Sequence, residues 1–164
     1  MNTIRQPTRA TQVHIRWMIR RDMPEVLEIE RESFEFPWSE ESFIRCLRER
    51  NCIGMVAENG SQDVIGFVVY EMCRDHIDVL NLAVSPWWRR AGVGRQIVDK
   101  LKTKISPQRR HYLRGHVRET NLDALQFLKA QGFVATGVIH GYYDHTDDDA
   151  IKLVYRADAE GARP

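Results

Sequence analysis

The stretch from Val79 to Ile105 constrains this chain most. An apolar strand pattern, Val79 to Val84, passes through Ser85-Pro86-Trp87-Trp88 into the glycine-spaced basic string Arg89-Arg90-Ala91-Gly92-Val93-Gly94-Arg95. A helix pattern follows at once, with Val93, Ile97, Leu101 and Ile105 on one face. A strand that turns straight into a helix start aims backbone N–H groups and the positive end of the helix dipole at one spot. Anions bind at such a spot, phosphates above all. Arg89, Arg90 and Arg95 add charge, and Gly92 and Gly94 let a ligand approach the backbone closely. No Gly-Lys-Ser/Thr follows, which excludes a nucleotide-triphosphatase P-loop. The third glycine of a dinucleotide fingerprint is also missing.

Length and composition bound the rest. A chain of 164 residues fits one domain with a real core. The expected boundaries are a flexible tail over residues 1–12, a domain over 13–157 and a C-terminal tail over 158–164. A formal charge of +1 gives no general case for nucleic-acid or membrane binding. Cys46, Cys52 and Cys73 are odd in number and match no zinc spacing. The six histidines form no ligand pair, so no metal is expected. Free thiols and the lack of a long apolar run suggest a cytoplasmic protein.

The coarse element order is strand, two helices, three strands, helix, strand, helix, two strands. Val13–Ile19 reads as the first strand. Asp22 and Pro24 open a helix, and Ser39-Glu40-Glu41-Ser42 opens the second. Strand patterns follow at about Cys52–Glu58, Val64–Met72 and Ile77–Val84, with Asn59-Gly60 as a hairpin signal. After the Gly92–Ile105 helix come a strand over Tyr112–Arg118 and a helix from Thr120 or Asn121 that Gly132 stops. Two strands close the chain, Phe133–His140 and Ala150–Tyr155. This order makes a mixed α/β sheet of about seven strands with four helices. Its middle is antiparallel and its later strand–helix–strand unit parallel, unlike a doubly wound nucleotide fold.

The string R-R-A-G-V-G fits Arg/Gln-x-x-Gly-x-Gly/Ala, the pyrophosphate-cradling pattern of the GCN5-related N-acetyltransferases. Three more segments fit in order: Phe36-Pro37-Trp38-Ser39-Glu40, Val117-Arg118-Glu119-Thr120-Asn121 running to Gly132-Phe133, and Tyr142-Tyr143 followed by Asp149-Ala150-Ile151. Over residues 13 to 157 the chain resembles that family, and within it most resembles the bacterial ribosomal-protein alanine N-acetyltransferases. The resemblance implies acetyl-coenzyme A as cosubstrate. Strands four and five would splay, and the pantetheine arm would pair with the backbone of Leu82, Ala83 and Val84. Amides from Arg90, Ala91, Gly92, Val93, Gly94 and Arg95 would hold the pyrophosphate, and Asn121 the pantetheine arm. Leu82 and Val84 also suit plain strand core, and Asn121 also suits a helix cap.

The chemistry departs from the pattern. The bacterial enzymes take a Glu on the fifth strand as base and a Tyr on the next helix as acid. Matched on Val117-Arg118 and Gly132-Phe133, those positions hold His116 and Leu128. A histidine titrating near pH 6.5 suits a general base, and strand parity puts His116 on the polar face with Tyr112, Arg114 and Arg118. It equally suits a histidine bonded to a neighbour. Tyr142 and Tyr143 are candidate acids, or simply packing groups. Coenzyme A thiolate is also a fair leaving group without help.

With reference values of about 7.8 and 10.4, roughly one terminal amine in seven is neutral at pH 7, against roughly one lysine in 2,500. An imperfect acid–base pair therefore favours a protein N-terminus, such as that of a ribosomal protein. Phe36, Trp38, Tyr142 and Tyr143 are candidate linings of a peptide slot, and Asp144 and Asp147–Asp149 candidate attractors of its ammonium. Transfer to a small amine or a lysine is the second expectation. A degenerate acetyl-coenzyme A sensor is the third. A monomer or weak homodimer is expected, with no direct nucleic-acid or membrane partner.

Overall fold

The structure, a computed structural model, describes residues 10–157. Of the expected tails, residues 1–9 and 158–164 lie outside the described residues. Seven strands form one sheet in the order β1-β2-β3-β4-β5-β7-β6. They are β1 (His14–Trp17), β2 (Cys52–Glu58), β3 (Val64–Met72), β4 (His76–Val84), β5 (Tyr112–Arg118), β6 (Val134–Ile139) and β7 (Ala150–Arg156). The helices are α1 (Met23–Ser33), α2 (Glu40–Arg48), α3 (Val93–Lys102) and α4 (Leu122–Ala130). β4 and β5 pair in parallel across the α3 crossover, while β5 with β7 and β6 with β7 pair antiparallel. The mixed seven-stranded sheet with four helices matches the expected fold class.

The described residues fall into two compact units. The first runs to Val69 and resumes over Asn81–Lys100; the second holds Tyr70–Leu80 and the chain from Leu101 onward. In the first, Ser39 caps α2 by accepting the Ser42 N–H at 3.1 Å. Phe43 of α2 is fully buried, its ring 5.7 Å from Phe67 on β3. Val93 and Ile97 of α3 pack over Gly66, where a Cβ would meet both within 3.3 Å. Arg16 binds both Asp22 oxygens, at 2.8 and 2.9 Å, and holds that buried carboxyl below the usual range. Ala10–Val13 is pinned to the start of α3. Thr11 donates its N–H to the Ala91 carbonyl at 2.7 Å, Gln96 Nε2 donates to the Thr11 carbonyl at 2.6 Å, and Val13 donates its N–H to Gln96 Oε1.

In the second unit, Ile77, Leu113 and Leu153 are fully buried on three neighbouring strands. The turn that stops α4 passes through Gly132, whose φ of +93° suits a residue without a Cβ; Tyr155 carbons would lie 3.3 Å from one. Phe133 packs on Tyr155 at 5.8 Å, and Lys102 Nζ sits 4.2 Å over the same ring. Among the described residues, no helix is long and apolar enough to cross a membrane.

Two local expectations change. The α3 pattern extends to Ile105, yet the helix ends at Lys102; Lys104 and Ile105 then make three-residue turns back to Leu101 and Lys102. Asn59-Gly60 does not form a two-residue hairpin. Asn59 Oδ1 instead accepts the N–H groups of Ser61 and Asp63, and Gln62 takes the left-handed conformation at φ 64°.

Candidate active site

Around the glycine string the backbone does the shaping. Pro86–Trp88 makes a short 3₁₀ turn after β4. Arg90 (φ 60°) and Gly92 (φ 80°) then both adopt left-handed conformations, and α3 begins at Val93. Arg90 takes a conformation that costs a side-chain-bearing residue about 1–2 kcal/mol. The Gly92 carbonyl accepts the Gln96 N–H at 3.2 Å, closing the first helical turn. Ala91 and Val93 are buried and anchor the turn. Arg95 is exposed and reaches Asp99 at 3.8 Å. Arg89 folds back, donating from Nε to the Val84 carbonyl and from Nη2 to Ser33 Oγ, both at 3.1 Å. The helix start therefore presents main chain within a basic setting, an arrangement suited to an anion. Just upstream, Ala83 is buried while Leu82 and Val84 are half-buried.

A carboxylate missed at the sequence level braces this unit. Glu30 of α1 is 1% exposed. Its Oε1 accepts the Trp38 N–H and its Oε2 accepts Asn81 Nδ2, both at 2.9 Å. Burial pushes its pKa up, opposed by those two donors. One side chain thus ties the Phe36–Trp38 loop to β4 one residue before Leu82. The signal was available: Glu30 stands four residues after Val26, on the buried stripe of α1. Phe36 is 41% exposed, while Trp38 is half-buried with its ring 5.2 Å from Phe43, as an anchor of the loop.

In the other unit, His116 lies on β5 opposite Lys152 of β7. It is half-buried, and its ring stacks on Tyr142 at 5.1 Å and 14°. Burial lowers its pKa below the ordinary histidine value. Asp78 opposes that shift, and Arg114 and Lys152 reinforce it. Arg114 is itself clamped on Asp78 by two bonds of 2.8 and 2.7 Å. Tyr142 and Tyr143 meet edge to face at 5.0 Å. Arg118 caps the Tyr143 ring at 3.8 Å, and its Nη1 donates to Thr146 Oγ1 and to Asp148 Oδ2. Burial raises the Tyr143 phenol, which makes it a poorer proton donor. Tyr142 is 45% exposed.

The acidic turn is partly used in pairs within its own loop and with the end of β5. Asp148 pairs with Arg118, while Asp149 accepts the Gly141 N–H at 3.0 Å and faces His140 at 2.9 Å. Asn121 caps α4, its Oδ1 accepting the Ala124 N–H at 3.2 Å. Leu128 is half-buried, 3.9 Å from where a Cβ on Gly115 would stand. The structure thus brings His116, Tyr142 and Tyr143 together. It leaves α4 without an acid at the Leu128 position.

The family model for the GNAT acetyltransferases matches residues 23–133. The chain belongs to the GNAT acetyltransferase family. It is 30% identical over 132 residues to the ribosomal protein bS18-alanine N-acetyltransferase of Escherichia coli K12, covering 79% of this chain and 88% of that one. A crystal structure of the Escherichia coli ribosomal-protein-S18-alanine N-acetyltransferase superposes with a TM-score of 0.74 at 24% identity, covering 89% and 94%. Arabidopsis thaliana NAA60 in complex with acetyl-CoA superposes at 0.76 with 18% identity, covering 88% and 99%. At those identities the two structures speak for the fold. As a GNAT protein, this chain is an acetyl-CoA-dependent N-acetyltransferase.

Proposed function

We propose that this GNAT enzyme acetylates the N-terminal α-amine of a protein, with a ribosomal protein as the leading acceptor, and that His116 is its general base. One observation carries the proposal: His116 stacks on Tyr142 in a half-buried setting, where burial lowers its pKa and so favours the neutral imidazole. A neutral imidazole can take a proton from the incoming ammonium. Acetyl-CoA supplies the activated acyl group as a thioester. Backbone groups of Leu82, Ala83 and Val84 hold its pantetheine arm, and one N–H there polarises the acetyl carbonyl. Amides from Arg90 to Arg95 grip the pyrophosphate, and Asn121 adds a side-chain contact beyond its capping bond. Phe36 and Trp38 of the first unit, and Tyr142 and Tyr143 of the second, are each candidates for contacting the peptide.

The bS18-alanine relative supports the N-terminal acceptor, as does the arithmetic of amine protonation. Leu128 favours a second reading, an acetyl-CoA binder without turnover, since a leucine cannot protonate the departing thiolate. A thiol-release assay separates the two. Turnover is expected with peptides carrying a free N-terminal alanine. Turnover confined to N-terminally blocked peptides with free lysines, or to small amines, refutes the N-terminal assignment. Binding without thiol release on any acceptor supports the sensor.

A further inference from the structure

Cys73 in the turn after β3, with His76 and Asp78 at the start of β4, brings together three metal-ligand side chains, none of which is given a step in the transferase chemistry. Cys73, His76 and Asp78 each offer a donor atom, and the three donors lie within 4.8 Å of one another. We propose that Cys73, His76 and Asp78 form a binding site for one zinc-class divalent cation. This departs from the expectation of no metal. Cysteine spacing could not reveal it, because the set mixes three residue types in a Cys-x-x-His-x-Asp stretch that runs from the turn into β4.

His76 decides the matter. It is 9% exposed, and its Nδ1 sits 2.7 Å from Asp75 Oδ1. An ionised carboxylate only accepts, so Nδ1 carries the proton and donates it. That assignment leaves the Nε2 lone pair outward on the ring, and Nε2 is buried without a hydrogen-bond partner. A buried acceptor left unsatisfied costs about 1–3 kcal/mol. Carboxylate to imidazole to metal is how proteins orient a ligating histidine. Tyr112 stacks on the ring at 4.8 Å and 3°, holding its plane.

The turn is braced as a metal site needs to be. The Cys73 N–H donates to the His76 carbonyl at 2.9 Å. Arg110 Nε donates to the Cys73 carbonyl at 3.0 Å, and the His111 N–H to the Asp75 carbonyl at 2.7 Å. Asp78 is clamped by Arg114 through both oxygens, and each oxygen keeps a further lone pair. Tetrahedral zinc holds such donors about 3.5 Å apart, so closure asks for a movement of about an ångström. Binding releases the thiol proton to solvent and forms a Zn–S bond. Thiolate, carboxylate and dication then sum to zero charge around a neutral imidazole. Sulfur with imidazole selects zinc or cobalt over magnesium and calcium.

The test is a cobalt titration of the full chain, stripped with a chelator, in a Cys46→Ser/Cys52→Ser background. That background removes the other close thiol pair, whose sulfurs are 3.1 Å apart. One equivalent of cobalt is expected to give a thiolate charge-transfer band that zinc abolishes. Cys73→Ser should erase the band. Asp75→Asn, which touches no metal, should weaken binding about 10–100-fold. His76→Gln should weaken it at least as much; if that variant misfolds by circular dichroism, Asp75→Asn carries the decision. No band, or a band unchanged in Cys73→Ser or in Asp75→Asn, overturns the site.

Discussion

Two regions carry the proposed chemistry, and they are built on opposite principles. Around residues 82–96 the working groups are main chain; side chains such as Ala91, Val93 and Arg89 only hold the backbone in shape. Along His116 and the Tyr142–Asp149 turn the working groups are side chains, and the backbone is a plain antiparallel ladder with β7. A backbone site demands glycine and a strand-to-helix switch, so it writes a legible string. A side-chain site tolerates exchange, and here the expected Glu and Tyr are a His and a Leu.

This contrast can be broken most sharply at Gly92. Gly92→Val puts a branched side chain at φ +80° and a Cβ 3.3 Å from Ala10. We expect a strain of about 1–2 kcal/mol and loss of the thermal stabilisation given by acetyl-CoA. Activity should fall roughly a hundredfold, the usual result of an ångström-scale misplacement. Arg95→Ala, a side-chain change in the same string, should weaken binding only modestly. Equal losses in the two variants would end the backbone account.

On the other side, His116→Ala should lower kcat by about 10²–10⁴-fold. In the unaltered enzyme the acid limb of kcat/KM should lie below pH 6.5, because burial favours the neutral ring. The same shift bears on stability: the unfolded chain binds more protons between the folded and unfolded pKa values, so His116 withdraws stability as pH falls through that window. Lys152→Met removes a cation that lowers the His116 pKa, so the acid limb should move back up. A pH–rate profile indifferent to both substitutions would exclude His116 as base.

Smaller effects are expected at Tyr142 and Glu30. Tyr142→Phe keeps the stack on His116 and removes only the hydroxyl, so turnover should drop less than about tenfold. A larger drop would make Tyr142 the acid. Glu30→Gln keeps one acceptor for two donors and removes a buried charge, so stability at pH 7 should change by no more than about 1–2 kcal/mol. The folded pKa of Glu30 is raised, so its stability contribution shrinks as pH rises above the unfolded value. Glu30→Gln should flatten that dependence in urea titrations. An unchanged profile would remove Glu30 from the titration.

The fold was legible because its signals are local. β2, β3 and β5 run over the residues read as strands, and Ser39 caps α2 as its spacing implies. The errors arose where a local signal competes with another. Asn59 uses its side chain to close a wider loop than Asn-Gly suggests. Ile105 continues the α3 stripe after the helix has ended. Glu30, the Arg118–Tyr143–Asp148 cluster and the Cys73–His76 turn were illegible for a different reason. Each depends on which polar atoms meet, and periodicity carries no record of that.

The seam at Thr11, Ala91 and Gln96 has a practical corollary. Residues 10–13 run beside the glycine pair, with Ala10 where a Cβ on Gly92 would press. A bulky group introduced at Ala10 would stand beside the proposed diphosphate grip. Recombinant protein bearing one there should lose cosubstrate affinity for reasons unrelated to its catalytic groups.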